Sequence, residues 1–145
     1  MKLSHAYFDT SVLAKTYVKE PGSDRARQLV RTRQVITSSI AGLELISAFR
    51  RNLGTGSIAE KAHSAIVRRF QQDREKLRIV ELSAAVLQDA EKVVADFDVR
   101  SLDAVHIASA MISRGRFPKE LPFITADARQ REVAAQLGLK VIWVE

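Results

Sequence analysis

The sequence predicts an α/β domain, a parallel sheet with helices on both faces. Three observations predict it. Short apolar runs, most of them rich in β-branched or aromatic residues, alternate along the chain with longer segments of helical pattern. The breaks between them are short, at Pro21-Gly22-Ser23, Gly54-Thr55-Gly56-Ser57 and Arg114 to Pro122, with no repeat, long linker or low-complexity stretch. The length, 145 residues, suits one domain over 1–145 and a core that needs no disulfide or structural metal.

The elements follow in order. Leu3–Asp9, with Tyr7-Phe8 inside it, is the first strand, and Ser11–Lys19 the first helix. After the Pro21-Gly22 break a second helix is expected over Ser23–Arg33. The β-branched run Gln34–Ser38 is the second strand, and Ile40–Asn52 the third helix. Ser57-Ile58-Ala59-Glu60 is a capping box and opens a helix over Ile58–Asp73. Arg78–Leu82 is the third strand, followed by helices over Ala84–Phe97 and Leu102–Arg114. Pro122–Thr125 is the fourth strand. The helix Ala128–Leu137 stops at Gly138, where a helix end favours a left-handed residue, and Lys140–Val144 is the last strand. In such sheets a ligand site lies beyond the carboxyl ends of the strands.

Composition removes whole classes of chemistry. With no cysteine there is no disulfide framework, thiolate zinc site, iron–sulfur cluster or Cys nucleophile. Three scattered histidines, His5, His63 and His106, cannot build a zinc site alone. Hydrophobic residues at 46% and charged ones at 28% are ordinary for a globular protein. No apolar run approaches the ~20 residues of a membrane span, so no membrane partner is expected. The segment Met1–Asp9 lacks an apolar stretch of signal-peptide length, so a cytoplasmic location is expected. Against 17 acidic residues stand 23 basic ones, 15 Arg and 8 Lys, a net charge of +6 that favours a polyanionic partner. Aromatics make up only 6%, so no base-stacking platform is evident.

Four carboxylates stand apart from other charges. Asp9 is the only formal charge between Leu3 and Ala14, and Glu44 the only one between Ile40 and Phe49. Asp103 is alone in Ser101–Ala108, and Asp127 alone in Leu121–Ala128. No Lys or Arg lies inside these windows, so each carboxylate reads as lacking a cation nearby in sequence. Desolvating a lone carboxylate is expensive. Asp9 and Asp127 end strands, Asp103 falls in the first turn of a helix, and Glu44 in the second turn of a helix that follows a strand. All four can therefore converge at one sheet edge. Clustered carboxylates repel one another unless a cation is present, and an oxygen-only donor set selects a hard ion, Mg²⁺ or Mn²⁺. Carboxylate-held magnesium in a basic protein is the chemistry of phosphodiester hydrolysis. Each residue also has a plainer reading: a dipole-favoured charge at a helix start for Asp103, turn formers for Asp9 and Asp127, a solvated outer-face residue for Glu44.

Phe8-Asp9-Thr10-Ser11-Val12-Leu13, Thr37-Ser38-Ser39 with Glu44-Leu45-Ile46-Ser47-Ala48, Leu102-Asp103-Ala104-Val105-His106-Ile107-Ala108, and Phe123-Ile124-Thr125-Ala126-Asp127 together resemble a PIN-domain ribonuclease, in the family's order and over essentially the whole chain. The size is similar to that of VapC toxins of type II toxin–antitoxin systems. The resemblance implies a PIN-like three-layer α/β/α sandwich with a central, mainly parallel five-stranded sheet. It implies a Mg²⁺- or Mn²⁺-dependent endoribonuclease that cuts RNA such as tRNA or rRNA and so stops translation. It further implies a cognate antitoxin that blocks the site, operator DNA reached only through that antitoxin, and a homodimer. Asp9, Glu44, Asp103 and Asp127 match the acidic quartet of catalytic and metal-binding positions, and Ser11 and Thr125 match supporting hydroxyl positions. Arg50 and Arg51, on the Glu44 helix, are the basic residues expected to contact RNA. His106, one turn past Asp103, reads as a packed or supporting histidine in preference to one that touches the site or the RNA directly. Arg114, Arg116 and Lys119 lie in the last long connection without an assigned role.

Two other metal-binding domains of similar layout, one of them an enzyme, are disfavoured. A haloacid-dehalogenase phosphatase would carry a second Asp two residues after Asp9, where Ser11 stands. A receiver domain would carry adjacent acids where Phe8 precedes Asp9. No Gly-rich segment ends in Gly-Lys-Ser/Thr, which excludes a P-loop. The remaining alternative is a non-catalytic RNA-binding or regulatory module on the same fold.

Overall fold

The computed structural model of the chain describes residues 3–117 and 120–145, so Lys119 lies outside the described residues. Among the described residues five strands are present: β1 (His5–Phe8), β2 (Gln34–Ser38), β3 (Arg78–Val80), β4 (Pro122–Thr125) and β5 (Lys140–Trp143). Among the same residues seven α-helices accompany them: α1 (Thr10–Lys15), α2 (Ser23–Thr32), α3 (Ala41–Gly54), α4 (Glu60–Asp73), α5 (Ala84–Asp96), α6 (Ser101–Arg114) and α7 (Ala128–Gln136), with a short 3-10 turn at Arg74–Lys76. The strands form one sheet in the order β3-β2-β1-β4-β5, and every pairing is parallel.

The alternation of side chains along each strand divides the core in two. In β1, Ala6 and Phe8 enter one apolar cluster with Val12 and Leu13 of α1, Leu29 of α2, Leu45 and Phe49 of α3, and Phe70 of α4. Tyr7, between them, points into the opposite cluster with Val86 and Val93 of α5, Ile107 of α6 and Val133 of α7. In β2 Val35 and Ile36 divide in the same way, as do Phe123 and Ile124 in β4. Helices thus cover both faces, the three-layer sandwich. Phe8, Phe49, Phe70 and Phe123 are all fully buried, and each such side chain contributes roughly 2 kcal/mol.

The sheet is in register where the chemistry needs it. Phe8 pairs with Ile124, Ser38 with Val80, and Thr125 with Trp143. The carboxyl ends of the strands are therefore level, and the segments leaving them share one edge.

Several boundaries differ from the sequence reading, each for a local reason. The first strand stops at Phe8 because Asp9 is already the N-cap of α1. That helix ends at Lys15 rather than Lys19. The hydroxyl of Thr16 turns back to the Leu13 carbonyl at 2.7 Å, and Lys15 Nζ donates to the Pro21 carbonyl at 2.7 Å. The capping box fails: α4 starts at Glu60 with no side-chain cap, and the Ser57 hydroxyl is paired with that of Thr55 at 3.0 Å. Glu44 falls in the first turn of α3, not the second, because the helix proper begins at Ala41.

Two glycines hold positions no other residue fills cheaply. Gly138 sits at φ +84° after α7, with its N–H on the Ala135 carbonyl and that of Leu139 on the Ala134 carbonyl. That pair of bonds closes the helix as a Schellman motif. Gly22 has φ +87°, and a Cβ there would stand 2.2 Å from the Glu145 carbonyl oxygen. Among the described residues, no helix is long and apolar enough to cross a membrane.

Candidate active site

Asp9 immediately follows β1 and is fully buried. Its Oδ1 accepts from Ser11 Oγ at 2.6 Å and from the Val12 N–H at 3.3 Å, capping α1. Its Oδ2 accepts from Thr125 Oγ1 at 2.7 Å. Burial pushes this carboxyl above its usual range, and these hydrogen bonds only partly oppose it. Among the described residues no Lys, Arg or His stands in ion-pair contact with it.

The supporting hydroxyls join the two strand ends. Ser11 Oγ accepts from the Ala126 N–H at 3.0 Å, and Thr125 Oγ1 accepts from the Asp127 N–H at 3.0 Å. The loops after β1 and β4 are thereby tied through Asp9. Asp127 repeats the device. It is the N-cap of α7, and its Oδ1 accepts from the Gln130 N–H at 2.9 Å.

Glu44 is held from two sides. Thr10 Oγ1 donates to its Oε1 at 2.7 Å, and His106 Nε2 stands 2.6 Å from the same oxygen. The fully buried His106 has its Nδ1 2.8 Å from the Tyr7 hydroxyl. Hydrogen-bond inventory assigns the tautomer: Nε2–H donates to the carboxylate, and Nδ1 accepts from the Tyr7 O–H. Burial pushes Tyr7 well above its usual range, which keeps that phenol a donor. For Glu44 burial works upward, but the hydrogen bond from His106, with help from Thr10 and Arg100, takes it below its usual range.

Asp103, in the first turn of α6, is clamped between two partners. Gln130 Nε2 donates to Oδ1 at 2.9 Å, and Arg100 Nε donates to Oδ2 at 3.1 Å. The same guanidinium reaches Asp127 Oδ2, with its NH2 at 3.6 Å. Burial raises Asp103 above its usual range, against the pull of Arg100 and with the repulsion of Asp127.

The fold thus delivers all four predicted carboxylates, with Ser11 and Thr125, to one edge of the sheet. Linked hydrogen bonds run from Asp9 through Thr125 to Asp127, and from Asp127 through Gln130 to Asp103, and the Arg100 guanidinium adds a hydrogen bond to Asp103 and an ion pair to Asp127. Arg50 and Arg51 are exposed at the far end of α3 and touch none of the four. Arg51 lies on the Glu44 face two turns away, about 10 Å along the axis, and bonds Ser47 Oγ at 2.9 Å. Arg114 donates to the Gly138 carbonyl at 3.0 Å, a link between α6 and the turn into β5.

Sequence reasoning missed Tyr7, Thr10, Arg100 and Gln130. Arg100 lies just outside the apolar window around Asp103, so that carboxylate does have a cation nearby in sequence. The i, i+3 spacing was the signal. Gln130 gives no such signal. It is buried and spans Asp103 and Asp127, and its Oε1 finds no donor among the described residues.

The donor set fits a hard divalent cation. It is all carboxylate oxygen, one member is buried without a cationic partner, and a guanidinium already stands between two others. Among the described residues, no three Asp, Glu or His side chains are preassembled as a ligand cluster. Arg100 is what stands between Asp103 and Asp127.

Comparison with known proteins agrees with this geometry. The PIN domain family model matches residues 6–136. Ribonuclease VapC46 of Mycobacterium tuberculosis is 32% identical over 140 residues, covering 94% of this chain and 95% of that protein. The fold is shared with FitAcB from Neisseria gonorrhoeae, with a TM-score of 0.69, 17% identity and coverage of 94% and 96% of the two chains. It is also shared with VapBC2 from Rickettsia felis bound to a DNA fragment from their promoter, with a TM-score of 0.65, 13% identity and coverage of 97% and 98%. The carboxylates at the sheet edge, the all-parallel sheet and the length matched place this chain in the PIN-domain family.

Proposed function

We propose that the chain, as a single PIN domain over 1–145, is a Mg²⁺- or Mn²⁺-dependent endoribonuclease and the toxin of a toxin–antitoxin pair. The observation that carries the reading is Asp9, a fully buried carboxylate without an ion-pair partner among the described residues, tied by hydroxyls to the loop that bears Asp127. The ribonuclease name of the M. tuberculosis relative supports the activity. The antitoxin partner, and operator DNA reached through it, are supported by shared fold with toxin–antitoxin complexes, one of them on promoter DNA. RNA as substrate is supported by the net charge of +6 and by the exposed Arg50 and Arg51. The homodimer and the cytoplasmic location rest on the family resemblance and the sequence.

Asp9, Asp103 and Asp127 would hold the metal, directly or through water, with Glu44 as a further ligand or the group that orients the attacking water. The bound ion would supply a polarised phosphoryl oxygen and a water of lowered pKa. The rest belongs to this chain. Ser11 and Thr125 donate to Asp9 and fix both of its oxygens. Thr10 and His106 fix Oε1 of Glu44, and their pull keeps it ionised, the form that can accept a proton from water. Gln130 aims Asp103.

End-labelled total RNA incubated with purified protein tests the reading, with Mg²⁺, with Mn²⁺ and with EDTA. Discrete fragments that require metal, and that fall by about a hundredfold or more in Asp9→Asn, are expected. RNA bound but uncut under both metals would replace this reading with the non-catalytic binding module.

A further inference from the structure

Among the described residues, Arg100 is the only Lys or Arg in ion-pair contact with any of the four carboxylates. Its side chain is 82% exposed, whereas those of Asp103 and Asp127 are 10% and 25% exposed. A solvated arm therefore reaches inward to two fixed anions. The anions are fixed by other bonds: Asp103 by Gln130, Asp127 by capping α7. The arm's root is fixed too. Arg100 is the N-cap of α6 with extended backbone, and its carbonyl accepts the Ala104 N–H at 2.9 Å. The guanidinium can leave without disturbing the helix or its cap, provided another cation takes over the two carboxylates.

We infer that Arg100 is a resident cation of the carboxylate site. It holds Asp103 and Asp127 against their mutual repulsion until a divalent ion takes them, and its guanidinium is then released to solvent. The inference rests on the metal-dependent reading above. The physical reason is competition for the same oxygens. Asp103 Oδ2 and Asp127 Oδ2, the two atoms facing Arg100, are those not engaged by Gln130, so they are the ones open to a metal. An exposed arginine makes a weak ion pair, because solvent screens it and its long side chain loses freedom. A doubly charged ion between two partly buried carboxylates is held more strongly. Uptake of metal is thus an exchange of one cation for another, and the chain sets its own metal affinity lower than the bare carboxylates would give.

Two measurements test it without reference to activity. Mn²⁺ binding is followed from the electron paramagnetic resonance of the free ion, with native protein and with Arg100→Gln. The Nε–H signal of Arg100, identified by its absence from the Arg100→Gln spectrum, is followed by NMR as Mg²⁺ is added. Circular dichroism establishes that Arg100→Gln is folded, as expected for an exposed side chain at a helix start. The inference requires Mn²⁺ to bind Arg100→Gln about three- to tenfold more tightly than native protein. It also requires the Nε–H signal to move from a hydrogen-bonded to a solvent-exchanging position in step with Mg²⁺. Equal Mn²⁺ affinity in the two proteins overturns it. So does tighter binding with an unmoved Nε–H, which would show through-space repulsion without displacement. Saturable binding in neither protein overturns the metal-dependent reading itself, and this inference with it.

Discussion

Tyr7→Phe isolates the support of Glu44 from everything else in the site. The substitution removes one oxygen atom and leaves the ring among Phe123 and the other residues of its core cluster, where the two rings stack at 5.7 Å. What is lost is the 2.8 Å bond to His106 Nδ1, inside a fully buried pair. That nitrogen is left as a buried acceptor without a donor, which costs about 1–2 kcal/mol, and in a domain of this length lowers the Tm by about 3–6 °C. The effect continues along the chain of bonds. Without Tyr7 O–H the imidazole is free to place its proton on Nδ1, and Nε2 would then present a lone pair to Glu44 Oε1 at 2.6 Å. Glu44 would keep only Thr10 as donor. Loss of such outer support typically costs about tenfold or more in metal affinity. The assays are thermal unfolding in EDTA and Mn²⁺ titration of the same protein, with His106 followed by long-range ¹H–¹⁵N NMR. A native spectrum with the proton on Nδ1, or a Tyr7→Phe protein unchanged in both Tm and Mn²⁺ affinity, would refute the assigned direction of the relay.

Other outcomes follow from the same geometry. Mg²⁺ at about 100 times its dissociation constant should stabilise the native protein by about 2.7 kcal/mol, and scarcely affect Asp9→Asn; differential scanning calorimetry reads both. The pH dependence in EDTA has two parts of opposite sign. Asp9 and Asp103 are raised above the ordinary 3.8, so the folded state holds protons that the unfolded chain has released. Stability from this source falls as pH rises from 3.8 through the folded values, and Asp9→Asn should flatten that decline. Glu44 is lowered from 4.5, so its contribution is present above 4.5 and lost as pH falls through its folded value. Gly22→Ala should cost about 1–3 kcal/mol, seen in urea unfolding, because a left-handed backbone and the Glu145 carbonyl both oppose a Cβ.

The fold was legible because its signals are local and repeated. The β-branched run of β2 and the buried apolar run of α6 declare themselves within a few residues. The carboxylates were legible for a related reason: a charge inside an apolar window is expensive, so a window such as Ile40–Phe49 with one Glu marks a position kept for another purpose. What supports those charges was not legible. Tyr7 and His106 are 99 residues apart and meet only because β1 lies at the centre of the sheet and α6 packs across it. Gln130 reaches Asp103 across 27 residues only once α6 and α7 dock. The capping box misled because a neighbouring hydroxyl competed for Ser57, and a four-residue pattern carries no information about that competitor. Arg100 is the instructive miss: its partner is three residues away, and an apolar window drawn one residue longer would have contained it.

Asp127 carries two duties, and the geometry separates them by oxygen atom. In Asp127, Oδ1 caps α7 and Oδ2 faces Arg100. A neutral amide can perform the first duty but not the second, since asparagine caps helices about as well as aspartate while carrying no charge. Asp127→Asn should therefore stay within about half a kcal/mol of the native stability, the remainder being a weaker interaction with the helix dipole. Asp127→Ala should lose about 1 kcal/mol, because the Gln130 N–H is then left without its acceptor. In Mn²⁺ affinity the two should be alike and both weakened, since each removes the same anionic oxygen. Urea unfolding and Mn²⁺ titration on the pair give the comparison. If Asn were as destabilising as Ala, the cap would depend on charge, and the division of labour between the two oxygens would be wrong. If Asn retained native Mn²⁺ affinity, Asp127 would be a helix cap and nothing more, and the site would reduce to three carboxylates.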